Sequence, residues 1–172
     1  MGIKEKLQAP GHIADHHVLE EFCCGIPSLD NWLKAKARKN ESARASRTYV
    51  LCHGEKVIGY YALASGSIAA NQAPGKVKRN MPDPIPVMIL GRLTIDQTYQ
   101  GKGLGNALLR DAILRILQAA DIVGIRAILV HALSEQAKHF YEKRSFIPSP
   151  IDPMTLVLPL QTIHPKETDE GS

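Results

Sequence analysis

Cysteines are few and long apolar runs are missing, which argues against a disulfide-rich protein and against a membrane-spanning one. The 172-residue chain has three cysteines, Cys23, Cys24 and Cys52, which cannot all pair within one chain and show no Cys-x-x-Cys spacing. Reduced, buried thiols are therefore expected. No apolar run approaches the roughly 18 residues of a membrane span. Residues 1–6 include three charged side chains and no apolar segment follows them, so no secretory signal is expected. These shortages predict a cytoplasmic protein that does not bind a membrane.

Metal-ligand spacing is missing as well. The seven histidines are scattered along the chain, and the adjacent pair His16 and His17 lacks the spacing of a metal site. The sequence therefore predicts no bound metal.

Positive charge is concentrated in one segment. The net charge is +4, but between residues 34 and 47 six basic side chains stand against one acidic residue, Glu41. The six are Lys34, Lys36, Arg38, Lys39, Arg44 and Arg47. Such a segment predicts a polyanionic partner, although an ordinary solvated helix face has the same appearance. By contrast, residues 162–172 are expected to form a flexible tail.

The remaining patterns predict one α/β domain over residues 1–172, in the order helix, hairpin, strand, helix, strand, helix, strand. Ser28 is the expected N-cap of the first helix, which ends at residues 42–46 and places Trp32 in the core. A turn at residues 53–56 joins the two strands of the hairpin. Four prolines then exclude regular structure from residues 71–86.

The second half of the chain has clearer boundaries. A central strand is predicted over residues 87–95, and Gly91 within it indicates a bulge or a close backbone approach. Gly124 is expected to close the long helix that follows. The next strand begins at Arg126 and is apolar enough to be buried. Ser134 is then a good N-cap for a short helix.

The most informative stretch, residues 90–117, runs from an apolar strand through a glycine-rich loop into an amphipathic helix. The loop reads Gln100-Gly101-Lys102-Gly103-Leu104-Gly105. It lacks the Lys-Ser/Thr ending of a Walker loop, and its glycine spacing does not fit the dinucleotide fingerprint. Glycines let the backbone approach a ligand closely, and the start of a helix favours an anion. A pyrophosphate is therefore the expected ligand, although such a turn can also be purely structural.

The loop fits Gln-x-x-Gly-x-Gly and resembles the acyl-coenzyme A loop of the GNAT N-acetyltransferases. A second motif, Ala137-Lys-His-Phe-Tyr-Glu-Lys-Arg-Ser-Phe, resembles the closing motif of the same family, except that Ser145 replaces a glycine. If the chain turns left-handed there, the serine costs roughly 1 kcal/mol. Residues 81–96 and the helix at residues 29–33 are similar to the GNAT toxins of type II toxin–antitoxin systems. The resemblance implies a GNAT fold: a single mixed, mostly antiparallel sheet with splayed central parallel strands, flanked by helices.

The same resemblance implies an acetyl-CoA-dependent N-acetyltransferase. Tyr141 would protonate the leaving sulfur; the alternative is a core aromatic residue, as Phe140 is expected to be. Backbone groups at the end of the central strand would bind the pantetheine, and the loop would bind the pyrophosphate. The implied acetyl-CoA-binding residues are Leu93, Thr94, Ile95, Gln100, Gly101, Lys102, Gly103, Leu104, Gly105, Asn106, Ser134 and Lys138.

The implied substrate is the α-amino group of aminoacyl-tRNA, whose acetylation stops translation. The implied partners are a ribbon–helix–helix antitoxin, operator DNA reached only through the toxin–antitoxin complex (which represses its own operon), and a second copy of the chain in a homodimer. The candidate tRNA-binding residues are Lys34, Lys36, Arg38, Lys39, Arg44, Arg47, Lys78, Arg79 and Arg92.

No general base can be assigned from the sequence. An α-amino group titrates near 7.7–8.0, so part of it is neutral without a base, whereas a lysine or polyamine near 10.4 needs one. This difference favours an aminoacyl acceptor. The alternatives are a GNAT enzyme acting on a small amine or a protein N-terminus, and a non-catalytic module that binds coenzyme A.

Overall fold

The computed structural model describes residues 7–163. These residues form two compact units: residues 7–64 with 90–114, and residues 65–89 with 115–163. The predicted tail, residues 162–172, lies outside the described part of the chain except for its first two residues, and so does the charged segment at residues 1–6.

The first unit contains the predicted hairpin. Its elements are β1 (Gly11–His12), α1 (Pro27–Ala35), α2 (Ala37–Ser42), β2 (Arg47–His53) and most of β3 (Lys56–Ile68). β2 pairs antiparallel with both β1 and β3, and Gly54 turns the hairpin with φ +65°. Trp32 is buried as predicted and stacks on Tyr60, with their ring centroids 5.9 Å apart.

The first helix differs from its prediction in two ways. Ile26, not Ser28, is the N-cap residue and makes no side-chain cap; Pro27, which has no N–H to satisfy, takes the first helical position. The helix is also broken at Lys36, where φ is −124°. Tertiary contacts account for the break: the guanidinium group of Arg38 donates hydrogen bonds to backbone carbonyls of residues 14, 15 and 17, and Ala37 enters the same core cluster as Leu33.

The second unit contains the parallel strand pair. β4 (Ile85–Ile95) runs parallel to β5 (Ala127–His131), with Val87–Ile89 paired to Ala127–Leu129. β7 (Thr155–Pro159) pairs antiparallel with β5 and with β6 (Ile147–Pro148). The seven strands follow the order β1-β2-β3-β4-β5-β7-β6, which confirms a mixed, mostly antiparallel sheet flanked by helices.

The prediction that residues 71–86 lack regular structure is wrong. A 3-10 turn spans Ala70–Gln72, α3 spans Gly75–Lys78, and β4 begins two residues earlier than predicted. α3 is stabilised by a residue far away in the sequence: the Arg126 guanidinium group donates hydrogen bonds to the carbonyls of Lys76 and Val77, each at 3.1 Å. A proline count cannot reveal such a contact.

The remaining helices are α4 (Leu104–Ala120), α5 (Glu135–Glu142) and α6 (Leu160–Ile163). α4 ends four residues before Gly124, so that glycine does not close the helix, and β5 begins just after Arg126. Cys24 and Cys52 are buried as expected, but Cys23 is exposed and Phe22 takes the neighbouring core position. Among the helices of residues 7–163, none has the length and apolar character needed to cross a bilayer.

Candidate active site

The end of β4 and the glycine loop are braced by polar side chains of the first unit. The buried Asp96 carboxylate accepts hydrogen bonds from the backbone N–H groups of Thr98 at 2.9 Å and Cys23 at 3.0 Å. The side-chain amide of Gln100 donates to the carbonyls of Ile95 at 2.8 Å and Cys24 at 3.1 Å. The Gln100 side chain therefore positions the loop, while its neighbours face solvent.

The glycine loop has the geometry of an anion site. Gly101 and Gly103 both have φ +78°, and a Cβ atom added at either glycine would meet nothing within 4 Å. With Lys102 between them, residues 101–103 are exposed. The first hydrogen bond of α4 runs from the Ala107 N–H to the Gly103 carbonyl, so the positive end of the helix dipole adjoins the loop. Such a turn suits a phosphate group.

The backbone of β4 is strained at Arg92. Its φ is +61°, a conformation that costs a non-glycine residue roughly 1 kcal/mol, and its guanidinium carbon lies 4.3 Å from the centroid of the Trp32 ring. Of the two alternatives predicted for Gly91, a bulge or a close backbone approach, the close approach is not found, because an added Cβ there would make only an ordinary contact with the Ala62 carbonyl at 3.9 Å. The irregularity falls one residue later, directly before Leu93, Thr94 and Ile95.

In the second unit, α5 carries the candidate proton donor. The Ser134 hydroxyl accepts a hydrogen bond from the Ala137 N–H at 3.0 Å, which confirms the predicted N-cap, and Lys138 on the first turns is half-buried. Tyr141 is buried between two aromatic rings, with centroids 5.2 Å from Phe140 and 5.1 Å from Phe146.

Burial determines the protonation of Tyr141 and distinguishes it from its neighbour. Burial raises the pKa of Tyr141 to about 12, so the phenol keeps its proton throughout the neutral range. Phe140, expected in the core, is only partly buried, and the Arg144 guanidinium lies 3.7 Å from its ring centroid. Ser145 has φ +73°, so the chain does turn left-handed at this helix end.

The candidate tRNA-binding residues fall into two groups, apart from Arg92, which is exposed but lies over the Trp32 ring. Arg38 and Arg47 are already engaged, Arg38 with backbone carbonyls and Arg47 with Glu41 at 3.2 Å. The other basic residues of this segment are exposed: Lys34 in α1, Lys36 between the two helices, Lys39 in α2 and Arg44 after α2. Lys78 and Arg79 are exposed in the second unit. Their contact with tRNA stays a prediction.

One cluster of polar side chains was not predicted from the sequence. His131, Asp152 and Thr155 are linked by hydrogen bonds beside a cavity of about 290 Å³. Only strand pairing brings His131 opposite Thr155, and no local motif marks it. Within residues 7–163, no three His, Cys, Asp or Glu side chains are grouped so that they could hold a metal ion.

Comparison with known proteins assigns the family. A model of the acetyltransferase (GNAT) domain matches residues 44–148. This chain belongs to the GNAT acetyltransferase family. It is 52% identical to the tRNA-acetylating toxin of Mycobacterium tuberculosis, over 87% of this chain and 90% of that toxin. It is 34% identical to a probable toxin TacT of Sinorhizobium fredii, over 87% of this chain and 88% of the relative.

Solved structures of toxins share the fold of this GNAT protein. AtaT complexed with acetyl-methionyl-tRNAfMet superposes with a TM-score of 0.85 at 30% identity, covering 92% of this chain and 97% of AtaT. A tyrosine-to-phenylalanine mutant of AtaT, bound to the C-terminus of the antitoxin AtaR and acetyl-CoA, gives 0.79 at 28% identity, covering 92% and 96%. A KacTA–DNA complex gives 0.77 at 29% identity, covering 92% and 96%. The predicted family and fold are thereby confirmed.

Proposed function

We propose that this GNAT protein is a toxin that transfers an acetyl group from acetyl-CoA to the α-amino group of aminoacyl-tRNA and thereby inhibits translation. The observation that carries the proposal is its 52% identity, over 87% of its length, to a tRNA-acetylating toxin. The exposed loop at Gly101 and Gly103 supports it, because two glycines at positive φ at the start of a helix suit a bound pyrophosphate.

Donor binding is assigned to the loop and to the end of β4. The amides of residues 101–106, with Lys102 and the helix dipole, bind the pyrophosphate. Backbone groups of Leu93, Thr94 and Ile95, which follow the strained Arg92, bind the pantetheine and polarise the thioester carbonyl. Ser134 and Lys138 at the start of α5 are assigned to the same donor.

Transfer begins when the neutral amine attacks the thioester carbonyl carbon. The C–N bond forms, the C–S bond breaks, and negative charge develops on sulfur. With a pKa of about 12, Tyr141 is a weaker acid than a free thiol near 8.5. Tyr141 therefore acts mainly as a hydrogen-bond donor to the departing sulfur, and it does so in its neutral form.

The polyanionic partner is the tRNA. Lys34, Lys36, Lys39 and Arg44 are exposed and are proposed to contact phosphates, which gives affinity and salt dependence without reading sequence. Because charged tRNA is a cytoplasmic substrate, the reaction is proposed to take place in the cytoplasm. By analogy with AtaT and KacTA, the toxin is proposed to bind an antitoxin and to reach DNA through that complex. The ribbon–helix–helix type of the antitoxin, the repression of its own operon and a homodimer are proposed from the family resemblance alone.

Incubation with labelled acetyl-CoA tests the function. The purified protein is offered charged tRNA, uncharged tRNA, polyamines and peptides with free N-termini in parallel. Label on charged tRNA alone supports the proposal. Label on polyamines or peptides, with none on tRNA, would instead identify a small-amine or N-terminal acetyltransferase, and binding of acetyl-CoA without any transfer would identify a regulatory module.

A further inference from the structure

The second unit contains a cavity that the donor does not account for. It has a volume of about 290 Å³, just below the roughly 300–1,000 Å³ usual for ligand pockets. Its lining combines the apolar side chains of Ile68, Ile89 and Leu129 with the polar side chains of His131, Asp152 and Thr155. His131 and Asp152 are exposed to solvent, whereas Thr155 is buried. A cavity lined by both apolar and ionisable side chains suits an amine attached to a short carbon skeleton.

The three polar side chains form a directed chain of hydrogen bonds. The Thr155 hydroxyl donates to the Asp152 carboxylate at 2.7 Å. A hydroxyl has one proton, so Thr155 Oγ1 can only accept in its second contact, with His131 Nδ1 at 3.0 Å. The proton of the neutral imidazole therefore lies on Nδ1, and Nε2 is left as the basic nitrogen.

Asp152, which is exposed, sets the direction of these hydrogen bonds. Its carboxylate also accepts a hydrogen bond from the Met154 N–H at 3.0 Å. The hydrogen bond from Thr155, followed by that from Met154, lowers the pKa of Asp152, so the carboxylate is ionised at neutral pH and cannot return a proton to Thr155. The direction of the whole chain follows from that charge.

The covalent path of the chain places this group close in sequence to the proposed chemistry. His131 lies three residues before Ser134, the N-cap of the helix that carries Tyr141, and all three residues belong to the second unit. Asp152 is the charged group that faces the imidazole; β3, β4 and the 3-10 turn present the uncharged Ile68, Ile89 and Gln72 to the cavity.

We propose that this cavity receives the acceptor amine and that His131 Nε2 takes its proton, with Thr155 and Asp152 as positioning residues. This inference rests on the proposed function. The amine nitrogen forms a bond to the thioester carbon, its proton passes to Nε2, and the C–S electron pair leaves on sulfur. The thiolate then takes up a proton from water, and the imidazolium returns one to water.

The test is the pH dependence of kcat/KM for acetyl transfer to charged tRNA. Two groups must be deprotonated in the wild type, the acceptor amine and the imidazole. The logarithm of kcat/KM should therefore fall toward acid with a slope approaching about two. In His131→Gln only the amine titrates, so the slope should become about one and the rate should drop roughly 100-fold.

Matched variants separate catalysis from packing. Thr155→Val removes the hydroxyl and should show the same loss of rate as His131→Gln. Thr155→Ser keeps the hydroxyl and should retain most of the wild-type rate. His139→Gln, on the exposed face of α5, is the control and should leave rate and slope unchanged.

Three results would overturn the inference. If the slope of log kcat/KM against pH is unchanged in His131→Gln, even with a lower melting temperature, the cluster only stabilises the pairing of β5 with β7. Equal rates in Thr155→Val and Thr155→Ser would show that the Thr155 hydroxyl does not position His131. If the wild type transfers nothing to charged tRNA, the proposed function fails first and the inference fails with it.

Discussion

Tyr141→Phe removes one hydroxyl group and little else. The ring is 7% exposed and packs against Phe140 and Phe146, contacts that phenylalanine preserves. The variant should therefore fold, bind acetyl-CoA with unchanged affinity and differ only in the chemical step.

The pKa of Tyr141 sets the expected size of the effect. Because burial raises this pKa to about 12, the hydroxyl stabilises the leaving sulfur by a hydrogen bond, without complete proton transfer. A hydrogen bond to a charged group contributes roughly 1.5–3 kcal/mol. At 1.36 kcal/mol per tenfold, the variant should lose about 10- to 200-fold in kcat.

Single-turnover transfer to charged tRNA, with acetyl-CoA binding measured by calorimetry, separates the two quantities. Tyr60→Phe is the matched control: its hydroxyl donates to the Leu29 carbonyl at 2.7 Å, so it should lose about 1 kcal/mol of stability and keep its kcat. An unchanged kcat in Tyr141→Phe would refute the assigned role. A loss beyond about 10⁴-fold would contradict the hydrogen-bond mechanism and indicate full proton transfer. Activity should also show no decline near pH 10 from ionisation of this phenol, because its pKa lies higher.

Three further predictions follow from the same structure. Gly101→Ala and Gly54→Ala both place a side chain at positive φ and should each cost about 1 kcal/mol of stability, but only Gly101→Ala should weaken acetyl-CoA binding by calorimetry. Lys34→Gln should weaken tRNA binding and reduce the slope of log K against log salt by about one, whereas Lys143→Gln should not. Burial raises the pKa of Cys52 from 9.0 to about 11, so the free energy of unfolding should fall between pH 9 and 11 by on the order of 2 kcal/mol, and denaturant titrations of Cys52→Ala should lose that decline.

The sign of the Cys52 prediction follows from linkage. The folded protein holds the thiol proton more tightly than the unfolded chain does. The contribution of Cys52 is therefore complete below pH 9 and disappears as the pH rises through 11. A pH-independent difference between wild type and Cys52→Ala across this window would contradict the argument.

Local sequence patterns predicted the elements whose determinants are local. The glycine turn at Gly54, the loop that opens α4 and the Ser134 N-cap each depend on a few neighbouring residues, and each lies where expected. The break at Lys36 and the short helix α3 depend on guanidinium groups that reach distant carbonyls, Arg38 in one case and Arg126 in the other. Propensity and proline counts contain no information about such contacts.

The candidate site divides in the same way. The loop and Tyr141 lie in motifs, so they could be identified from the sequence. The backbone strain at Arg92 could not, because an arginine at φ +61° has no local signature; its stacking on Trp32 depends on two elements that are far apart in the chain. His131 and Thr155 meet only through the pairing of β5 with β7. The general base that no local motif supplies is proposed to be His131, which contacts Thr155 only in the folded chain.

The central claim is that acetyl moves from its thioester to the α-amino group of an aminoacyl-tRNA. It is tested most directly by mass spectrometry of the 3′-terminal aminoacyl-adenosine, released by nuclease from total charged tRNA after incubation with acetyl-CoA and the wild-type protein. The account predicts N-acetylated aminoacyl-adenosine, reduced in Tyr141→Phe. Unmodified aminoacyl-adenosine, with acetyl groups found instead on polyamines or proteins, would contradict it.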